Sequence, residues 1–186
     1  MHESIMEFGR AVIVAADVKG KRVIEVGSMN VNGSLRGHIE SLQPASYVGI
    51  DFMPGSGVDV ICDACRLSKF FGRDVFDLVV STEMLEHAKD WRGAISSMKK
   101  ILVSGGLLVL TARGPGFKLH GYPHDWHRFT VQDMRRIFAD FQIDALESDR
   151  QCPGVMLRAR KPSGWHETVD LGTIDVAPAD KQNAPR

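Results

Sequence analysis

The sequence predicts an α/β protein built on a doubly wound, mostly parallel sheet with helices on both faces. Three observations carry this. Short apolar runs alternate with stretches of helical periodicity, the pattern of repeated strand–helix units. The early runs are apolar throughout, so their strands are covered on both faces. Glu25, Gly27, Asp51, Asp63 and Ser81 each close such a run. They therefore collect along one edge, beyond the strand carboxyl ends, where sheets of this kind bind ligands.

The elements follow in order. Residues 3–17 place Ile5, Phe8, Val12 and Ala15 or Ala16 at helical spacing, and Lys19-Gly20-Lys21 ends that helix. Arg22 to Val26 is a β-branched run ending at Gly27, the first strand. Asn32-Gly33-Ser34 offers caps to a helix that runs to about Leu42 and is stopped by Pro44. Tyr47 to Asp51 is the second strand, Pro54 to Gly57 a loop, and Val58 to Ile61 a short third strand. Phe76 to Val80 is the fourth, ending in Ser81-Thr82. Asp90 caps a helix through about Leu102, and Ser104-Gly105-Gly106 turns into a fifth strand, Leu107 to Thr111. A loop rich in Gly, Pro, His and aromatics covers residues 113–129. Thr130-x-x-Asp133 is a capping box for a helix to about Ala139. Phe141 to Glu147 and Val155 to Arg160 are the last two strands. Residues 1–161 read as one domain, with 1–19 its N-terminal helix; beyond Lys161 the periodicity fades, and residues 162–186 read as a flexible tail.

Composition excludes several functions. A chain of 186 residues favours one domain with a real core. Its formal net charge is zero, which gives no electrostatic reason to expect a nucleic acid or an anionic membrane as partner. Lys99-Lys100 and Arg135-Arg136 read as solvated helix faces. No apolar run reaches the roughly 18 residues of a membrane span, and no signal peptide is visible, so a cytoplasmic setting is expected. Three cysteines imply no disulfide framework. Cys62-Asp63-Ala64-Cys65 lacks a second pair for zinc and a thioredoxin-like context, and reads as chance spacing.

Taken in order, the strand-end residues resemble those of the class I S-adenosylmethionine-dependent methyltransferases, in particular the small-molecule, type 11-like members. Val23-Ile24-Glu25-Val26-Gly27 resembles the family's first motif, and Tyr47-Val48-Gly49-Ile50-Asp51 its second strand. Cys62-Asp63-Ala64 is similar to its adenine-side acid. Phe76 to Ser81 followed by Glu83-Met84-Leu85-Glu86-His87 resembles the fourth-strand motif, and Ile101 to Leu107 the turn before strand five. The resemblance implies a Rossmann-like sheet of seven strands with an antiparallel last strand, S-adenosyl-L-methionine as cofactor and S-adenosyl-L-homocysteine as product. It implies that Asp51 takes the ribose hydroxyls, Glu25 the methionine amino group and Asp63 the adenine amino group. The implied cofactor set is Glu25, Gly27, Ser28, Met29, Asn30, Asp51, Phe52, Asp63, Ala64, Ser81, Thr82 and Glu83. A ribose presents two adjacent hydroxyl donors, and one carboxylate can accept both.

The sequence departs from that pattern where the family carries further glycines, since Met29 and Val31 stand there. Asn30 can take the left-handed conformation that glycine supplies. Met29 and Asn32 also break the G-x-G-x-x-G spacing of a nicotinamide site. Two readings stay open on this ground: an enzyme that methylates a small-molecule acceptor, and a non-catalytic module that keeps the fold for binding or assembly.

A hydroxyl acceptor calls for a base, and histidine has a suitable pKa. His87 follows the fourth strand, and His124 and His127 lie in the loop 113–129, which holds three histidines and an aspartate within residues 120–129. These three histidines are the candidate catalytic residues. His120, His124 and His127 have ligand-like spacing, but Gly121 and Pro123 keep them off one helix face, and no metal is expected. The expected partner is a small molecule, such as a sugar, lipid head group or natural product, with no nucleic acid and no membrane span. A monomer and a homodimer are both open.

Overall fold

A computed structural model of the chain describes residues 2–121 and 124–179. Its strands are β1 (Arg22–Val26), β2 (Ser46–Asp51), β3 (Val60–Ile61), β4 (Phe76–Thr82), β5 (Leu102–Arg113), β6 (His127–Arg128), β7 (Gln142–Ser148), β8 (Gly154–Arg160) and β9 (Ala177–Pro178). Its helices are α1 (Glu3–Val12), α2 (Ala15–Val18), α3 (Arg36–Ser41), α4 (Leu67–Phe71), α5 (Trp91–Ile101) and α6 (Val131–Ile137). Seven strands form one sheet in the order β3-β2-β1-β4-β5-β8-β7, and β6 pairs with β9 in a separate ribbon. The first five are parallel, and β8 runs antiparallel to both its neighbours. The doubly wound sheet with one reversed strand is the fold expected.

The unbroken apolar runs follow from burial on both faces. In β4, Val79 points into a core with Trp91, Ile95 and Met98 of α5 and with α6. Its neighbours Leu78 and Val80 point the other way, into a core with Ile5 and Phe8 of α1 and Ile39 of α3. Chain order reverses between β1 and β4, so the connections after these two strands diverge and leave a crevice at their carboxyl ends.

Several local expectations are corrected. The first helix breaks at Ile13-Val14, because Ile13 is fully buried and its carbonyl accepts a hydrogen bond from His38 Nε2 at 2.9 Å. β3 is confined to Val60–Ile61, since Asp59 is used by Arg36 and the Gly49 amide. β5 begins at Leu102, opposite Phe76, and its ladder shifts register before resuming at Leu107 opposite Leu78. Lys99 is not a solvated residue: it is fully buried, 2.7 Å from Asp140 Oδ1 and 2.6 Å from the Ile137 carbonyl.

The tail assignment also changes. Residues 162–179 lie against the domain, while 180–186 fall outside the described residues. Trp165 donates to Asp140 Oδ2 at 2.9 Å and packs edge-on against Phe141. Leu171 and Ile174 are buried, and Arg92 donates to the carbonyls of both. This segment docks through isolated apolar residues and backbone carbonyls, so it leaves no periodic signature.

Candidate active site

The crevice at the switch point is a cavity of about 740 Å³. Its floor is the loop after β1. Gly27 has φ +81°, and a Cβ there would stand 2.3 Å from Met84 Cγ. Only glycine fits this backbone and this approach. The amides of Gly27 and Ser28 both donate to the Ile50 carbonyl at 2.9 Å, and that of Asn30 to Ser56, so the loop is held without the usual glycines. Met84 reaches Gly27 because Glu83, just past β4, adopts the left-handed φ of 52°, a strain of the kind found at functional sites.

The three strand-end acids line the cavity. Asp51 is 8% exposed; its Oδ2 accepts from the Met29 amide at 3.4 Å and its Oδ1 from the Met53 amide at 3.2 Å. It thus fixes the floor loop as well as facing the crevice. Glu25 is 2% exposed and accepts a hydrogen bond from the Tyr47 hydroxyl. Burial pushes its carboxyl up to about 7, against the opposing pull of Tyr47 and of the Arg36 charge. Asp63 spends one oxygen capping the 3-10 turn at Ala64–Arg66, where Oδ1 accepts from the Cys65 amide at 2.8 Å. Gly27, Ser28, Met29, Phe52, Ala64, Thr82 and Glu83 also line the cavity.

Two residues of the implied cofactor set do not line it. Ser81 is fully buried, and its hydroxyl donates to the Val26 carbonyl at 2.9 Å, bracing β4 against β1. Asn30 faces outward, and its side-chain oxygen accepts from the Gly33 amide, closing a local turn.

The opposite wall is built from the turn Leu85–His87 and the loop before β6. His87 and His124 line the cavity; His127 does not, and its Nε2 lies 3.2 Å from the Lys89 carbonyl instead. His120 takes its place on the wall. His87 Nδ1 donates to the His124 carbonyl at 2.6 Å. A carbonyl can only accept, so this bond sets the tautomer and leaves the lone pair on Nε2. The His87 and His120 rings meet edge-on with centroids 4.9 Å apart. Burial lowers the His120 pKa, with Asp125 opposing, and keeps it neutral near pH 7.

The loop is held by a residue the sequence reading overlooked. Arg128, 2% exposed, grips both oxygens of Asp125 and donates to the carbonyls of Phe117 and Lys118. Burial raises the Asp125 pKa, but the Arg128 hydrogen bonds outweigh it and hold the group below the ordinary carboxylate range. The i, i+3 spacing of Asp125 and Arg128 was the available signal. Arg113, also overlooked, is fully buried behind the wall and pairs with Glu83, with Asp149 at 3.6 Å and with His2 Nδ1 at 2.6 Å. This network ties the N-terminal helix to the strand end that carries the site.

A model of the methyltransferase domain family matches residues 3–149. Among solved structures, an S-adenosylmethionine-dependent methyltransferase from Mesorhizobium loti is similar at 17% identity, with TM-score 0.67, covering 85% of this chain and 98% of that one. The 1,6-didemethyltoxoflavin-N1-methyltransferase of Burkholderia thailandensis, solved with bound 1,6-didemethyltoxoflavin and S-adenosylhomocysteine, is similar at 13% identity and TM-score 0.65, covering 86% of this chain and 78% of that one. The [4+2]-cyclase SpnF is similar at 16% identity and TM-score 0.66, covering 87% and 82%. These likenesses are of fold, and one fold serves more than one reaction. No curated protein matches the chain in sequence.

Proposed function

Because this chain belongs to the class I S-adenosylmethionine-dependent methyltransferase family and takes S-adenosylmethionine as its cofactor, we propose that it methylates a hydroxyl group of a small molecule held in the 740 Å³ cavity. In this reading Asp51 accepts the ribose hydroxyls, Glu25 faces the methionine ammonium and Asp63 offers its second oxygen to the adenine amino group. The donor supplies the activated methyl. The acceptor oxygen attacks the methyl carbon in line, the C–S pair stays on sulfur, and the hydroxyl proton passes to Nε2 of His87. Holding donor and acceptor in line supplies much of the rate.

The observation that carries the hydroxyl reading is the His87 hydrogen bond to the His124 carbonyl, which in the neutral ring puts the lone pair on Nε2 of a residue that lines the cavity. A neutral chain and the absence, among the described residues, of a helix able to cross a membrane fit a small acceptor met in the cytoplasm. The test is S-adenosylhomocysteine release across a panel of sugar, phenol and head-group alcohols, with amines beside them. His87→Ala is expected to lower turnover about 10²–10⁴-fold while cofactor affinity stays near wild type. Turnover of amines alone, or wild-type turnover of an alcohol by the variant, overturns the reading.

A further inference from the structure

The geometry points to a divalent-cation site on the acceptor wall, held by Glu86, His87 and His120, with open positions facing the cavity. One ligand atom from each of these residues lies within 4.8 Å of the others. Glu86 comes from the buried side of the wall, and the two histidines line the cavity. Two imidazoles and a carboxylate are a donor set for a first-row divalent ion such as zinc, and three protein ligands leave room for oxygens of a bound molecule.

An independent observation supports the site. Glu86 is fully buried, and no side chain of the described residues donates to either of its carboxylate oxygens, which meet only the backbone amides of Glu86 and Arg113 at weak geometry. A buried carboxylate without a cation is costly, and such groups are normally paired or bound to metal. Among the described residues no ion pair involves Glu86: Arg128 pairs with Asp125, and Arg113 with Glu83 and Asp149.

The histidines are prepared for the role. His87 has its Nδ1 proton on a carbonyl, so Nε2 is the nitrogen with a lone pair to offer. His120 has Nδ1 3.0 Å from Asp125 Oδ2, and Asp125 is itself clamped by Arg128. A carboxylate behind a ligating histidine is the usual outer support of a metal site. This inference rests on the proposed function in placing the acceptor beside the wall: an acceptor with two neighbouring oxygens would fill the open positions. With the ion bound, Nε2 of His87 would be a ligand, so the metal would acidify the bound hydroxyl in place of the histidine base and its proton would leave to solvent.

The test is calorimetric titration of the full chain, stripped of metal and of any affinity tag, with Zn²⁺, and with Co²⁺ followed by its visible absorption. One ion per chain is expected, with affinity at least about tenfold weaker in Glu86→Gln and in His120→Ala, and unchanged in His127→Ala. Absence of binding, or equal affinity in all three variants, overturns the site. S-adenosylmethionine is titrated in parallel. Zinc binding without cofactor binding would fail the proposed function and leave the metal site standing. Cofactor binding without zinc binding would do the reverse.

Discussion

In its proposed role beside the methionine ammonium, Glu25 would make cofactor binding depend on pH in a direction the structure determines. In the free protein its carboxyl titrates at about 7, because burial outweighs the Tyr47 hydrogen bond and the Arg36 charge. The proposed partner, a methionine ammonium, would bind the ionised carboxylate. Affinity should therefore fall as the pH drops through 7. With a free-state pKa of about 7, the ionised fraction falls from about one half at pH 7 to about one in thirty at pH 5.5, which weakens binding about 16-fold, on the order of 1.6 kcal/mol. The ligand's own ammonium, with a pKa of roughly 7.7–8.0, stays charged across this window. The assay is calorimetric titration with S-adenosylhomocysteine at half-unit steps, for wild type and Glu25→Gln. The Gln variant should bind weakly and without the slope. Stability supplies a second reading of opposite sign. A carboxyl whose pKa is raised on folding contributes stability that is present below its ordinary pKa and lost as the pH rises through 7. Glu25→Gln should then stabilise the free protein at pH 8, by up to about 3 kcal/mol. A flat affinity profile in wild type, or a slope that survives in the Gln variant, would refute the argument.

Further outcomes follow from the same geometry. Asp51→Ala should weaken S-adenosylhomocysteine binding by about 1.5–3 kcal/mol, the range for hydrogen bonds to a charged group, and unchanged affinity in a folded variant would remove the ribose role. Gly27→Ala meets both a positive φ and Met84, so urea unfolding should show a loss of about 2–5 kcal/mol, part of which Met84→Ala in the same chain recovers. Arg128→Ala strands buried Asp125 and frees the wall loop; a loss of about 3–5 kcal/mol and a larger fall in turnover than in cofactor affinity are expected.

Much of the fold was legible because burial on two faces writes itself into composition. Runs such as Phe76 to Val80 can only be strands covered above and below, and their alternation with helical stretches leaves few topologies. The strand-end acids were legible for the same reason: Glu25, Asp51 and Asp63 follow from where each run stops. The errors lie where a side chain's partner is far away in sequence. Ser81 reads as a site residue by position but spends its hydroxyl on Val26, and Lys99 reads as solvated but is enclosed by Asp140 and Ile137. The choice of histidines had the same cause, since the path of residues 117–128 depends on Arg128 collecting carbonyls along that loop.

The sequence alone therefore determined the layering of this protein and the edge on which its acids gather, because these depend on periodicity and on neighbours along the chain. Only the tertiary structure decided that His120 and not His127 faces the cavity, that residues 162–179 dock on the domain, and that Glu86 is buried without an ion-pair partner among the described residues. Each of these depends on pairings between segments distant in sequence, which hydrogen-bond satisfaction and packing choose only once the chain has folded.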